Sequence, residues 1–364
     1  SNVTKNDIQK AASLFENKFS LSISDSSIID ANYSIKLSTN NVVDIKSDMP
    51  DFISEILEKC NLNPNFNAPI LAFYDSKRKL NLTNKNEFST NSFEIKQAEA
   101  FESSLTAGLN FNSFQNWFFI KEIIENREKI ARRDFNYEEN DLKKVREAID
   151  TFFIEDNLSG IHVMSEERPS NSIWPTILSF LAINKKEEEL YVNQLSDGEK
   201  ITLLLVADIS RRLVIANPSR ENPLAGEGLV LIDEIHLHLH PAWQRKIIPN
   251  LRKTFPNIQF IVTTHSPQVL SSVKRENVIV LDNFKAYRSG YTKGRDSNSI
   301  LAEVFGVSAR PEEAAKELRT LYRLIDDPKK EKEAEKMLTK LKEKYGENDP
   351  DLTQATLHLE FLTN

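Results

Sequence analysis

The chain has 364 residues, 40% of them hydrophobic, and a single cysteine. That is enough apolar material for two or more structural lobes, no apolar run is long enough to cross a bilayer, and Cys60 alone cannot close an internal disulfide. The net charge of −7, from 54 acidic against 47 basic side chains, repels nucleic acid except at a local basic patch. Neither a charged-then-apolar leader nor an Arg-rich amphipathic segment opens the sequence, so a reducing, cytoplasmic setting is expected.

Residues 1–110 read as the first part of an α/β lobe. Helical spacing over 8–15 is followed by alternation at Phe19, Leu21 and Ile23 and again over 34–37, which predicts half-buried strands. A helix over 51–60 and a strand over 69–73 come next, separated by Asn-rich turns at 40–41 and 61–67. The polar stretch 75–94 predicts an exposed loop.

Between 111 and 157 the period becomes helical, with Phe114, Trp117, Phe118 and Lys121 on one segment and Leu142, Val145, Ile149 and Phe152 on another. The charged run 125–141 between them predicts the tip of a projecting helical pair, for which a solvated face is the simpler reading. Arg127, Lys129, Arg132 and Arg133 are the natural contacts should this arm touch nucleic acid.

A second part of the lobe spans 158–310. Strand-like runs occur at 161–163, with His162 as a strand residue, at 177–183 and at 190–192. The third leads into Gln194-Leu195-Ser196-Asp197-Gly198-Glu199-Lys200, which opens a helix so apolar, through Ile201, Ile209 and Leu213, that burial against a sheet is expected. Asn217-Pro218 ends it. The run 229–232 then stops on Asp233 and Glu234, and a second run, 258–262, stops on Thr263, Thr264 and His265. Two buried strands delivering polar residues at their carboxyl ends, with a helix between, form a βαβ unit with its chemistry along one sheet edge. A strand over 278–281 and a flexible loop over 284–301 follow, and helices with Lys/Glu-rich faces occupy 311–364.

Asp233 at a strand end can hold Mg²⁺ while Glu234 faces a nucleophile, the two roles that phosphoryl transfer to water requires. Two acids starting a surface turn would look the same. Ser196, Gly198 and the N–H groups of the helix start form an anion site, and equally an ordinary capping box with Glu199. His265 can sense a terminal phosphate or orient water, although a lone histidine is more often structural. His236, His238 and His240 alternate, so a metal site must be weighed, but no nearby cysteine or further acid completes a ligand set.

Together these segments resemble the ABC-type ATPases of the AAA-like group that includes RecF, SMC and overcoming-lysogenization-defect proteins. The likeness is closest to the PtuA ATPases of Septu and retron-associated anti-phage systems. It is carried by QLSDGEK as signature, LIDEIHLHLHPAWQ as Walker B strand and D-loop, TTHSPQVL as switch histidine, and GRDSNSIL. The resemblance implies an ABC-type P-loop NTPase head with a mostly parallel core sheet, an antiparallel β-subdomain, a helical insertion and a helical tail. It implies ATP with Mg²⁺, Asp233 supporting the metal, Glu234 polarising water and His265 at the γ-phosphate. Gln194, Ser196, Asp197, Gly198, Glu199 and His240 would then serve a nucleotide held by a second subunit in a head-to-head dimer.

Three departures stand out. Asp197 replaces a second glycine, His236 replaces an acid, and no G-x-x-x-x-G-K-[ST] occurs among the nine glycines. The expectation is that the phosphate loop lies upstream of Ser1 and that these residues alone do not turn over ATP. By resemblance, the partner is an HNH-type nuclease, with DNA or a retron RNA–DNA product as further candidates. A RecF-like repair ATPase and a non-catalytic scaffold are the alternatives.

Overall fold

The computed structural model describes residues 19–21, 31–37, 43–47, 49–76, 96–105, 111–168, 176–282 and 285–363. The helix expected over 8–15, Ile23 and most of the loop expected over 75–94 lie outside the described residues. The chain divides into two compact units, 1–265 and 266–364.

In the first unit, β1 (Phe19–Leu21), β2 (Ala31–Leu37) and β3 (Val43–Ser47) form an antiparallel meander, and α1 (Met49–Leu62) follows. β4 (Ile70–Tyr74) belongs to a different sheet. Helices α2 (Phe111–Arg132) and α3 (Asn140–Phe152) lead to an antiparallel sheet of β5 (Leu158–Arg168), β6 (Thr176–Lys185) and β7 (Glu188–Tyr191). Then come α4 (Asp197–Ala216), β8 (Gly228–Ile232), α5 (Pro241–Thr254) and β9 (Ile258–Val262).

β4, β8 and β9 pair in parallel with β8 in the middle, Ile70 opposite Gly228 and Gly228 opposite Ile258. This register aligns all three carboxyl ends. Strands buried on both faces need no alternation, which is why ILAFY and GLVLI are nearly continuous apolar runs. Gly228 is required by close approach, since a Cβ there would lie 2.4 Å from the Ile70 carbonyl oxygen.

The middle of the charged run 125–141 is exposed, with Ile130 at 73% and Phe135 at 81%, as a solvated tip would be, and only its base turns inward. Glu125 is 2% exposed and accepts from Lys129 at 2.8 Å, from Arg146 at 3.1 Å and from the Glu139 amide at 3.0 Å. Glu122 accepts from Arg146 and from the Val163 amide, tying α2 to β5. α3 in turn packs on α4. At the base of the pair charge mates charge, which the sequence pattern does not show. Of the four cations singled out, Lys129 is bound to Glu125 and Arg132 pairs with Glu128 and stacks on Tyr137.

α4 is buried along nearly its whole length, including Asp208, Arg211 and Arg212. Such burial is tolerable only because each charge is matched. Asp208 accepts from Arg211 and Arg212 at 2.9 and 2.8 Å and from the Tyr74 hydroxyl at 2.9 Å. Arg212 also donates to the carbonyls of Ala100 and Glu102, which fastens α4 to the turn at Gln97–Phe101. Burial alone would raise the Asp208 carboxyl, but Arg212 and Arg211 outweigh it and hold the group well below the usual carboxylate range. Burial, followed by the Asp208 charge, pushes the Tyr74 phenol well above its ordinary value.

The second unit contains α6 (Pro267–Leu270), the hairpin of β10 (Ile279–Asp282) and β11 (Lys285–Arg288), and α7 (Ser297–Glu303). Leu270, Val278, Ile300 and Val304 form their common core. The segment expected as a flexible loop over 284–301 thus carries a strand and a helix. Pairing with β10 orders the first, and Asp296 caps the second by accepting from the Asn298 and Ser299 amides. The remaining helices, α8 (Glu312–Ile325), α9 (Glu331–Tyr345) and α10 (Pro350–Thr363), bury Leu318, Leu321, Leu338, Leu341, Leu352 and Leu359 together. Among the described residues no helix is long and apolar enough to cross a membrane.

Replacing Asp208 by alanine strands two buried guanidinium groups, and we expect a loss of about 3–5 kcal/mol in urea unfolding. Because the folded carboxyl is depressed, its contribution is present above an unfolded value of about 4 and is lost as pH falls toward the folded value. The wild-type and Asp208→Ala midpoints should therefore converge in acid.

Candidate functional site

β8 does not stop cleanly at Ile232. The Asp233 amide donates to the Tyr74 carbonyl at 2.8 Å and extends the ladder one step, after which Glu234 adopts a left-handed φ of 48°. A non-glycine residue in that region costs on the order of 1–3 kcal/mol and persists only when its surroundings enforce it. Thr263 supplies the enforcement. It is the first residue beyond β9 and, by the register of Ile232 with Val262, lies beside Asp233. Its hydroxyl accepts from the Glu234 amide at 2.8 Å and donates to Asp233 Oδ1 at 2.6 Å, while its carbonyl accepts from the Ile235 amide at 3.1 Å.

The Glu234 carboxylate sits between two imidazoles, with His236 Nδ1 3.3 Å from Oε2 and His265 Nε2 3.4 Å from Oε1. The two rings differ in setting: His236 is 19% exposed and His265 79%. Thr264 Oγ1 is 3.0 Å from His236 Nδ1. Asp233, Glu234 and His265 are thus brought together at the carboxyl edge of the parallel sheet.

The turn from 234 to 240 is pinned by amides of Leu237 and Leu239 to the carbonyls of Glu234 and His236, and by Gln244 Nε2 to the Leu239 carbonyl at 2.8 Å. His238 is left-handed, with φ 64°. His240 caps α5, its Nδ1 accepting from the Ala242 amide, and Pro241 takes the first helical position where no N–H is needed.

Ser196, Asp197, Gly198, Glu199 and His240 form a second group. They share a cavity of about 370 Å³ with His238 and Trp243. Ser196 and Glu199 complete a reciprocal capping box, so the ordinary cap and the anion-site geometry are present in the same residues. Lys200 donates to Asp197 and lowers its carboxyl below the ordinary value. Burial would raise Glu199, but Lys185 at 2.7 Å and the Ser196 bonds bring it down instead. Each of the two carboxyls is thus lowered with a lysine beside it. Gln194 points elsewhere, accepting from the Tyr191 amide at 2.8 Å and bracing the approach to the helix. The two groups meet through Gly198, where a Cβ would lie 2.4 Å from the His238 carbonyl oxygen.

The alternating histidines do not converge. His236 turns to Glu234, while His238 and His240 line the signature cavity. Among the described residues no cluster of three or more His, Cys, Asp or Glu side chains is placed to hold a metal. Thr263, Thr264 and Trp243 escaped the sequence reading as site residues, and His238 was weighed there only as a metal ligand. The signal for the threonines was their position directly after β9, level with the two acids after β8.

Residues 5–271 match the family described as AAA domain, putative AbiEii toxin, Type IV TA system. The chain belongs to this AAA family. It is 35% identical over 352 residues to a retron Ec83 probable ATPase of Escherichia coli, a match covering 82% of this chain and 64% of that protein. It is 34% identical over 285 residues to a retron Vc95 probable ATPase of Vibrio cholerae, covering 65% and 53%. The Septu protein PtuA of Bacillus thuringiensis is 30% identical over 181 residues, 48% of this chain and 40% of that one. The chain therefore spans roughly half to two thirds of the retron ATPases it matches. Among solved structures, an SMC head bound to the winged-helix domain of ScpA aligns over 81% of this chain and 71% of its own, with 13% identity and a TM-score of 0.32.

In this AAA-family chain Gly198→Ala should cost about 1–3 kcal/mol, since the added methyl meets backbone that cannot swing aside. Asp197→Ala, at a side chain 73% exposed, should change stability by less than about 0.5 kcal/mol. Paired urea denaturation curves check the contrast.

Proposed function

We propose that this chain supplies the hydrolytic half of an ATP site in an anti-phage ATPase. The observation that carries the reading is Glu234, held left-handed at a strand end beside Asp233 and flanked by His236 and His265. In this reading the Glu234 carboxylate accepts the proton of a water attacking the γ-phosphate, and His265, the more exposed imidazole, meets the phosphate oxygens. Asp233 and the Thr263 hydroxyl offer hard oxygen donors at the same edge, a set that fits Mg²⁺. Bound there, Mg²⁺ would neutralise phosphate charge.

The signature group serves a different nucleotide. Ser196, Gly198 and the first amides of α4 border a cavity lined also by His238 and His240, a setting suited to phosphate presented by a second copy in a head-to-head dimer. The reaction also needs a cradle for the β- and γ-phosphates, and no G-x-x-x-x-G-K-[ST] occurs in these 364 residues. The relatives named as retron ATPases and Septu PtuA support placing the activity in a defence complex. There it would restrain or trigger a separate HNH-type nuclease, with DNA or a retron RNA–DNA product as the nucleic acid sensed.

The 364-residue chain alone should show no MgATP turnover. In a polypeptide that joins it to a phosphate-binding loop, phosphate release should appear, and Glu234→Gln should lower kcat by about 10²–10⁴-fold. Turnover undiminished by that substitution would remove Glu234 from the mechanism.

A further inference from the structure

His236 stands two residues after Glu234, yet its ring folds back toward that carboxylate. The contact has a directional consequence. Nδ1 is 3.3 Å from Glu234 Oε2 and 3.0 Å from Thr264 Oγ1. If Nδ1 carries the proton, either oxygen is within reach to accept it. If Nδ1 is bare, it can take only the threonine proton and turns its lone pair toward an anionic oxygen. The first arrangement presents a proton to the carboxylate, and the second sets lone pair against lone pair.

The placement of the ring is as fixed as that of a structural side chain. His236 is only 19% exposed, and its carbonyl is bound by the Leu239 amide and by Gln244. Glu234, by contrast, lies on a left-handed turn, so no regular strand geometry orients its side chain. His265 touches the other oxygen but is 79% exposed, a ring available to a ligand more than a brace.

We propose that His236 is a positioning residue: its Nδ1–H donates to Glu234 Oε2 and thereby aims Oε1 toward the side of the site where His265 stands. This rests on the reading of Glu234 as the base. A base misplaced by about 1 Å loses on the order of a hundredfold in rate, so a fixed donor on the non-reacting oxygen matters to the chemistry.

Long-range ¹H–¹⁵N NMR of the histidine rings tests the bond without any turnover. We expect His236 to carry its proton on Nδ1 in the wild type and to move toward the commoner Nε2–H form in Glu234→Ala. A wild-type ring protonated only at Nε2 would overturn the proposal. Kinetics on the assembled ATPase give the second readout. His236→Leu should lower kcat about 10–100-fold with little change in KM. His236→Asn, whose amide nitrogen occupies the place of Nδ1, should recover most of that loss. Equal loss in both variants would mean the ring only packs, which also overturns the proposal. If Glu234→Gln itself retained full turnover, the assignment of the base would fall, whereas the NMR result would still decide whether the bond exists.

Discussion

Thr263 is the hinge on which the site depends. One hydroxyl both accepts from the Glu234 amide and donates to Asp233, so the left-handed turn after β8 and the carboxylate before it are set by the residue that follows β9. Only a parallel pair in register can do this, because it puts the residues leaving two strands at the same height. A slip of one residue would present Val262 to the two acids and would turn the buried face of β9 outward. The apolar runs of β8 and β9 therefore act on the chemistry indirectly, by fixing which residue arrives beside Asp233.

Strain and support are correspondingly close together. Glu234 and His238 are both left-handed without being glycine, four residues apart in one turn. Each costs free energy that the surrounding bonds must offset. The Leu237 and Leu239 amides, Gln244 and the His240 cap supply those bonds, and α5 begins immediately where they end. The turn is thus a rigid connector between the acid edge and the signature helix, with the Gly198 backbone laid against the His238 carbonyl.

Much of this was legible in residue order. Apolar runs ending on polar residues located β8, β9 and the acid pair, and Ser196 with Glu199 announced the start of α4. The helical insertion and the helical tail followed from 3.6-residue spacing. What the sequence hid was partnership across distance. Glu125 looks like part of a solvated face until Arg146, Lys129 and the Glu139 amide are seen to enclose it. Lys285 to Arg288 look like a loop because a two-stranded ribbon with exposed faces leaves no alternation to read. Thr263 and Thr264 look like strand-end polar residues, since their roles exist only relative to β8.

Tyr74 shows how the two parts of the site are joined from below as well. Its carbonyl accepts from the Asp233 amide, and its hydroxyl donates to Asp208 on α4, in a network closed by Arg211 and Arg212. Helix α4 is therefore bonded toward the acid strand through Tyr74 and Asp208, and its start packs closely on the turn where Gly198 meets the His238 carbonyl. The buried charges along α4 orient it in a way that leucines would not, because hydrogen bonds between charged groups hold direction as well as distance.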